Sequence, residues 1–140
     1  MSVRVKIDDE SLNALLDALR NDSRFTEEAI ADELLALAFE TQAEAKRSIQ
    51  AHMSGGRRYG RHVASAPGMP PNTDTGRLVA SIGVDDVTDE PFGVSVGTNV
   101  KYGAYLEFGT GRMKRRPWLA RAFAISVGHA MQRIRQRLEK

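Results

Sequence analysis

The chain has 140 residues and no cysteine, so disulfide frameworks, cysteine-ligated zinc and thiol catalysis are excluded together, and its length predicts one domain spanning residues 1–140. At 41% hydrophobic and 27% charged it reads as a soluble, cytosolic, folded chain, with no apolar run near the roughly 20 residues of a membrane span and no signal-peptide core at its start. The net charge of +2 hides a division: residues 1–50 carry 6 basic and 11 acidic groups, residues 51–140 carry 14 and 7, a pattern suited to nucleic-acid contact or head-to-tail assembly.

Val3, Val5 and Ile7 alternate with Arg4 and Lys6, the period of a half-buried strand. Asp8 or Asp9 then caps a short helix through Leu12, Leu15, Leu16 and Leu19, and Asn21-Asp22-Ser23 ends it. From Arg24 to His52 there is neither Gly nor Pro, while Phe25, Ile30, Leu34, Leu37, Thr41, Ala45 and Ile49 recur at three- and four-residue steps. This predicts a long amphipathic helix whose early acids, Glu27, Glu28, Asp32 and Glu33, complement its dipole, with Ser23 or Thr26 as cap.

Composition changes at Ser54: glycines, Pro67, Pro70 and Pro71 predict an extended loop over residues 54–72, a length that in a small domain implies function or ordering by a partner. Thr73 or Asp74 is expected to cap a helical turn through Arg77–Ile82. Residues 82–88 and 92–98 read as an antiparallel hairpin turned at Asp89-Glu90-Pro91. Tyr102–Phe108 is apolar and aromatic around Glu107. Gly109-Thr110-Gly111 breaks it, and Pro117 is placed to open a last helix with the stripe Leu119, Phe123, Val127, Ala130, Ile134 and Leu138. The fold class expected is α+β, a small antiparallel sheet carrying the long helix, with a C-terminal helix.

Few residues here suggest catalysis. Asp74-Thr75-Gly76 is the aspartic-protease triplet, but Pro70-Pro71-Asn72 stands where that site needs a hydrophobic strand. His52, His62 and His129 have no partner at metal spacing, Ser48, Ser65 and Ser81 lack a nucleophile elbow, and no phosphate-cradling glycine motif occurs. No catalytic, metal or cofactor site is therefore assigned. The basic residues are more informative: Arg57, Arg58 and Arg61 beside Tyr59 and His62, then Arg112, Lys114, Arg115 and Arg116, then Arg133, Arg135, Arg137 and Lys140 could meet phosphates or an acidic partner. Glu107, between Leu106 and Phe108, needs a partner if desolvated, and Arg116, ahead of Arg77, is the expected one.

Taken in order, Tyr59-Gly60-Arg61-His62, Ala64-Ser65-Ala66-Pro67-Gly68-Met69-Pro70-Pro71, Asp74-Thr75-Gly76-Arg77-Leu78 with Ser81-Ile82, Val96-Gly97-Thr98, Tyr102-Gly103-Ala104-Tyr105-Leu106-Glu107-Phe108-Gly109-Thr110 and Arg116-Pro117-Trp118-Leu119 form a pattern. It resembles the neck and tail-completion (head–tail joining) proteins of long-tailed phages, the minor tail protein Z-like group. Gly103 and Trp118 depart from it, where alanine and phenylalanine are expected. The resemblance implies a non-enzymatic virion protein without cofactor, assembling as a six-fold ring at the head–tail junction. Its neighbours there would be a head-connector or head-closure protein and a tail terminator or tail-tube protein, and non-specific contact with channel DNA is possible. Under it, Arg57, Arg58, Tyr59, Arg61 and His62 form an assembly or DNA-channel loop and Arg112, Lys114 and Arg115 a basic assembly patch. Asp74, Gly76, Leu78, Tyr102, Glu107, Phe108, Gly109, Arg116, Pro117 and Trp118 are the structural motif. The alternatives are a non-specific DNA-binding module and a tail terminator or head-closure protein of the same neck.

Overall fold

The computed structural model describes residues 3–6, 14, 17, 20–22, 26–52, 54–74, 76–87 and 93–139. Along them run β1 (Val3–Lys6), α1 (Glu27–Gln50), β2 (Arg58–Tyr59), β3 (His62–Val63), α2 (Arg77–Ser81), β4 (Gly83–Val87), β5 (Gly93–Thr98), α3 (Lys101–Phe108) and α4 (Leu119–Leu138). This is the expected α+β class. The expectations for Ile7, Leu12, Leu15, Leu16, Leu19, Phe25 and the Asp89-Glu90-Pro91 turn lie outside the described residues.

The larger sheet is antiparallel with the order β1-β5-β4, and its register sets Val96 of the central strand between Val5 and Val84. Val94 and Val96 enter the core. The long helix forms where its stripe predicts: Thr26 caps it, its hydroxyl accepting from the Ala29 N–H at 3.1 Å, and Ile30, Leu34, Leu37, Thr41, Ala45 and Ile49 are all buried. Each large aliphatic on this face contributes about 1.5–3 kcal/mol by leaving water. Two hydroxyls on the same face, Thr41 and Ser48, are satisfied within the helix by the carbonyls of Leu37 and Ala45, both at 2.9 Å.

The stripe of α4 (Leu119, Val127, Ala130 and Ile134 buried, Phe123 half-buried) packs along α1. At the rim of that contact Arg133 meets Glu40 at 2.7 Å and Glu33 at 3.7 Å, while Arg137 donates to Glu33 at 2.5 Å. The sequence division of charge is thus partly closed inside one chain. In the hollow beside them Arg47 hydrogen-bonds Glu44 and holds its carboxyl below the usual 4.5, with the positive charge of Arg47, Arg121 and His129 adding to the effect. A depressed carboxylate stabilises the fold above its unfolded pKa and ceases to do so as pH falls through the folded value. Glu44→Gln is therefore expected to lower stability at pH 7, where the ionised carboxylate contributes in full, and to flatten the acid limb of the pH–stability curve below 4.5, so that the two proteins converge at low pH, which urea melts at several pH values would read.

Three local expectations are corrected. The cap of α2 is Gly76, at φ 81°, not Thr73 or Asp74, and it makes no side-chain cap bond. Thr73 is held elsewhere, its N–H donating to the Ile49 carbonyl at 3.1 Å, and the left-handed backbone at residue 76 is one that glycine adopts without strain. The last helix opens after Trp118, so Pro117 stands outside it. Residues 54–72 are more structured than an extended loop. Tyr59 pairs with His62 across a two-residue turn in which Gly60 has φ 63°, and Asn72 donates to the carbonyls of Ser54 and Val63 at 2.8 and 2.9 Å. Pro70 and Pro71 are buried. Hydrogen exchange is expected to be slow at Gly56, Ala64 and Gly68, whose amides donate to main-chain carbonyls, and fast at Arg61. Uniformly fast exchange over the segment would show it to be a free loop.

Candidate functional site

The strand–turn–strand of residues 58–63, the α2 and α3 helices and the turn before α4 surround one groove of about 990 Å³. Tyr59, His62, Asp74, Gly76, Leu78, Tyr102, Arg112, Lys114 and Arg116 line it. Segments spread over nearly sixty residues of sequence therefore meet on one surface. The glycine at 109 makes this possible: at φ 76° it turns the chain out of α3, and a Cβ there would lie 3.0 Å from the Arg115 nitrogen and the Met113 oxygen. The Thr110 hydroxyl then accepts the N–H groups of Arg112 and Met113 at 3.2 and 3.1 Å, which presents the basic residues outward.

The 54–72 segment is fixed over this turn from both sides. The Gly68 N–H donates to the Arg115 carbonyl at 2.8 Å, and Arg116 Nε donates to the Ser65 carbonyl at 3.2 Å. Arg116 is thereby a strut of the groove wall. The expectation that Arg116 pairs with Glu107 is corrected, because Glu107, only 3% exposed, spends its carboxylate on main chain. Oε2 accepts from the N–H groups of Trp118 and Leu119 at 2.8 and 2.9 Å, and Oε1 from Ala120 at 3.0 Å. A helix N-terminus offers unsatisfied N–H donors and a positive dipole end, so a carboxylate from α3 satisfies α4 where α4 has no side-chain cap of its own.

Beneath the groove Trp118 is fully buried and its Nε1 donates to the Gly103 carbonyl at 3.0 Å. The two positions that depart from the family pattern are therefore neighbours in space. A Cβ at Gly103 would lie 2.6 Å from Thr98 Cγ2 and 3.0 Å from Leu78 Cδ1, but 3.5 Å from the indole. Thr98 and Leu78 dictate the glycine, and the tryptophan does not.

Of the residues assigned from the sequence, Tyr59, His62, Asp74, Gly76, Leu78, Tyr102, Arg112, Lys114 and Arg116 line the groove. Arg57, Arg58 and Arg61 are exposed at its hairpin edge, Arg57 lying 5.4 Å over the Tyr59 ring and Arg58 bonded to the Gly60 carbonyl at 2.9 Å. Arg115, Phe108 and Gly109 border a smaller hollow with Pro67. Phe108 is 69% exposed. His62 Nδ1 lies 4.0 Å from a carboxylate oxygen of Asp74. Among the described residues no cluster of three metal-ligating side chains occurs, and no helix is long and apolar enough to cross a membrane. Two groove residues were not assigned as site residues from the sequence: Ser65 and Asn72 are buried, and Ser65 Oγ and Asn72 Oδ1 take no hydrogen bond within the described chain. Both stand in a segment read as loop, where nothing in sequence signals burial.

The groove is walled by aromatic and basic side chains, and among the described residues no nucleophile is hydrogen-bonded to a base. Residues 13–109, more than two thirds of the chain, match the HK97-gp10-like family, described as "Bacteriophage HK97-gp10, putative tail-component", and the chain belongs to that family. It is thus a structural protein of a phage particle. No curated protein matches it, and no solved structure does. The match ends at Gly109, so the basic turn and α4 extend beyond the matched residues.

Proposed function

We propose that this protein acts at the head–tail junction of a long-tailed phage, as a tail-completion or head–tail joining component. The whole chain would act as one assembly unit, forming a six-fold ring between a head-connector or head-closure protein and a tail terminator or tail-tube protein. The observation that carries the reading is the convergence of the resembling motifs, from Tyr59 to Arg116, on one groove whose rim cations Arg112 and Lys114 are exposed and without an ion pair among the described residues. Such a surface suits contact with an unlike protein surface and requires no turnover. Interrupting the gene in the phage that carries it is expected to leave filled heads and finished tails unjoined, with infectivity restored by the gene supplied in trans. Normal joined particles would contradict the reading.

Channel DNA is a second reading, favoured by Arg57, Arg58 and Arg61 at one exposed hairpin edge. It predicts binding by the isolated chain that weakens steeply with salt, irrespective of DNA sequence.

A further inference from the structure

We propose that the groove receives the outward stripe of α1 from a second copy of this chain, in a head-to-tail contact. This deepens the ring reading above, on which it rests, by naming the two surfaces that would close the ring.

The stripe consists of Glu28, Asp32, Leu35 and Phe39, spaced by four, three and four residues on one side of the helix. At 100° per residue Phe39 stands about 180° around the axis from Ile30, on the side away from the core. All four are exposed, Leu35 by 36% and Phe39 by 52%. An exposed phenylalanine in the middle of a 24-residue helix is not covered by packing among the described residues. Glu28 and Asp32 make no ion pair among the described residues, unlike Glu33 and Glu40 on the α4 side.

The groove offers the complement. Arg112 and Lys114 line it, exposed and without an ion pair among the described residues, and Tyr59 (57% exposed) and Tyr102 (38%) are aromatic surface beside them. One chain cannot bring these together. Ile49 lines the groove and lies about 15–32 Å further along the α1 axis than the stripe from Phe39 back to Glu28, and the stripe points away from the core. Between two copies the same surfaces match two acids with two bases and two apolar side chains with an aromatic wall. Because the surfaces are unlike, the contact repeats from copy to copy and gives a ring if its rotation closes. DNA as the occupant would leave the acidic and apolar stripe unexplained.

The chain's lack of cysteine allows a direct test. The double variant Asp32→Cys/Lys114→Cys, full length, is oxidised with copper phenanthroline in concentrated solution and in assembled particles, then run on a non-reducing gel. The expected result is a ladder of covalent multimers ending at the ring size, with each single-cysteine variant remaining monomeric. A melting curve establishes that the variants fold, and the charge-swapped pair Asp32→Lys/Lys114→Glu is expected to assemble where each single swap does not. No ladder from a folded double variant whose particles still carry a neck ring would overturn this contact and leave the ring reading standing. Dimers from Asp32→Cys alone would show α1 meeting α1 and would also overturn it. A ladder in solution without a neck ring would uphold the contact and refute the junction. A DNA duplex shifted by the wild type and not by Arg112→Glu/Lys114→Glu, with no ladder, would assign the groove to DNA instead.

Discussion

Replacing Glu107 with alanine is expected to lower the unfolding free energy by about 2–6 kcal/mol, since it strands the two buried N–H donors of Trp118 and Leu119 at roughly 1–3 kcal/mol each. The third donor, Ala120, is partly buried and adds less. Because the carboxylate belongs to α3 and the donors to α4, the loss detaches the last helix from the element that lines the groove. Glu107→Gln keeps acceptor capacity without the charge, so its melting temperature should fall between wild type and the alanine variant. An arginine partner for Glu107 would instead predict that Arg116→Ala reproduces the damage. The geometry predicts that Arg116→Ala is milder, because it removes one bond from Arg116 Nε to the Ser65 carbonyl and leaves Glu107 fully bonded. Thermal melts of the three variants decide between these accounts.

Trp118→Ala is expected to cost about 3–5 kcal/mol, the range for emptying a fully buried aromatic site, and it also leaves the Gly103 carbonyl without its indole donor. At the neighbouring position Gly103→Ala should cost about 1–3 kcal/mol by overpacking. Thr98 cannot move away cheaply. Its hydroxyl lies 2.5 Å from that of Ser81 and accepts the Val100 N–H at 3.0 Å. Introducing both residues of the family pattern together, Gly103→Ala with Trp118→Phe, should therefore show no rescue, since the added methyl meets Thr98 and Leu78 whichever ring occupies residue 118. Stability of the double variant above that of Gly103→Ala alone would show that the indole sets the limit after all.

The parts of this molecule that follow from periodicity were legible in its sequence. The α1 stripe from Ile30 to Ile49, the hairpin of β4 and β5 and the α4 stripe each repeat a pattern that one buried face imposes on many residues. What depended on a single tertiary meeting was not legible. Glu107 was recognisable as a desolvated acid, but its partners are main-chain N–H groups eleven to thirteen residues onward, and main chain carries no sequence signal. The same applies to residues 54–72, where glycine and proline signal irregular backbone without revealing that Asn72 ties it together or that Pro70 is buried. The groove drew on motifs that had each been noted, yet their meeting depends on the turn at Gly109. Phe39 was within reach: it falls off the three- and four-residue steps of the core stripe, which is itself a sign of an outward apolar residue.

The central claim, that this phage structural protein belongs to the head–tail junction, is tested most directly by imaging intact particles that carry the full chain with a small C-terminal tag. Electron microscopy with a label against the tag should place a single ring of copies between the head connector and the tail tube, in the same number in every particle. Label distributed along the tail tube, or confined to the tail tip, would contradict the account.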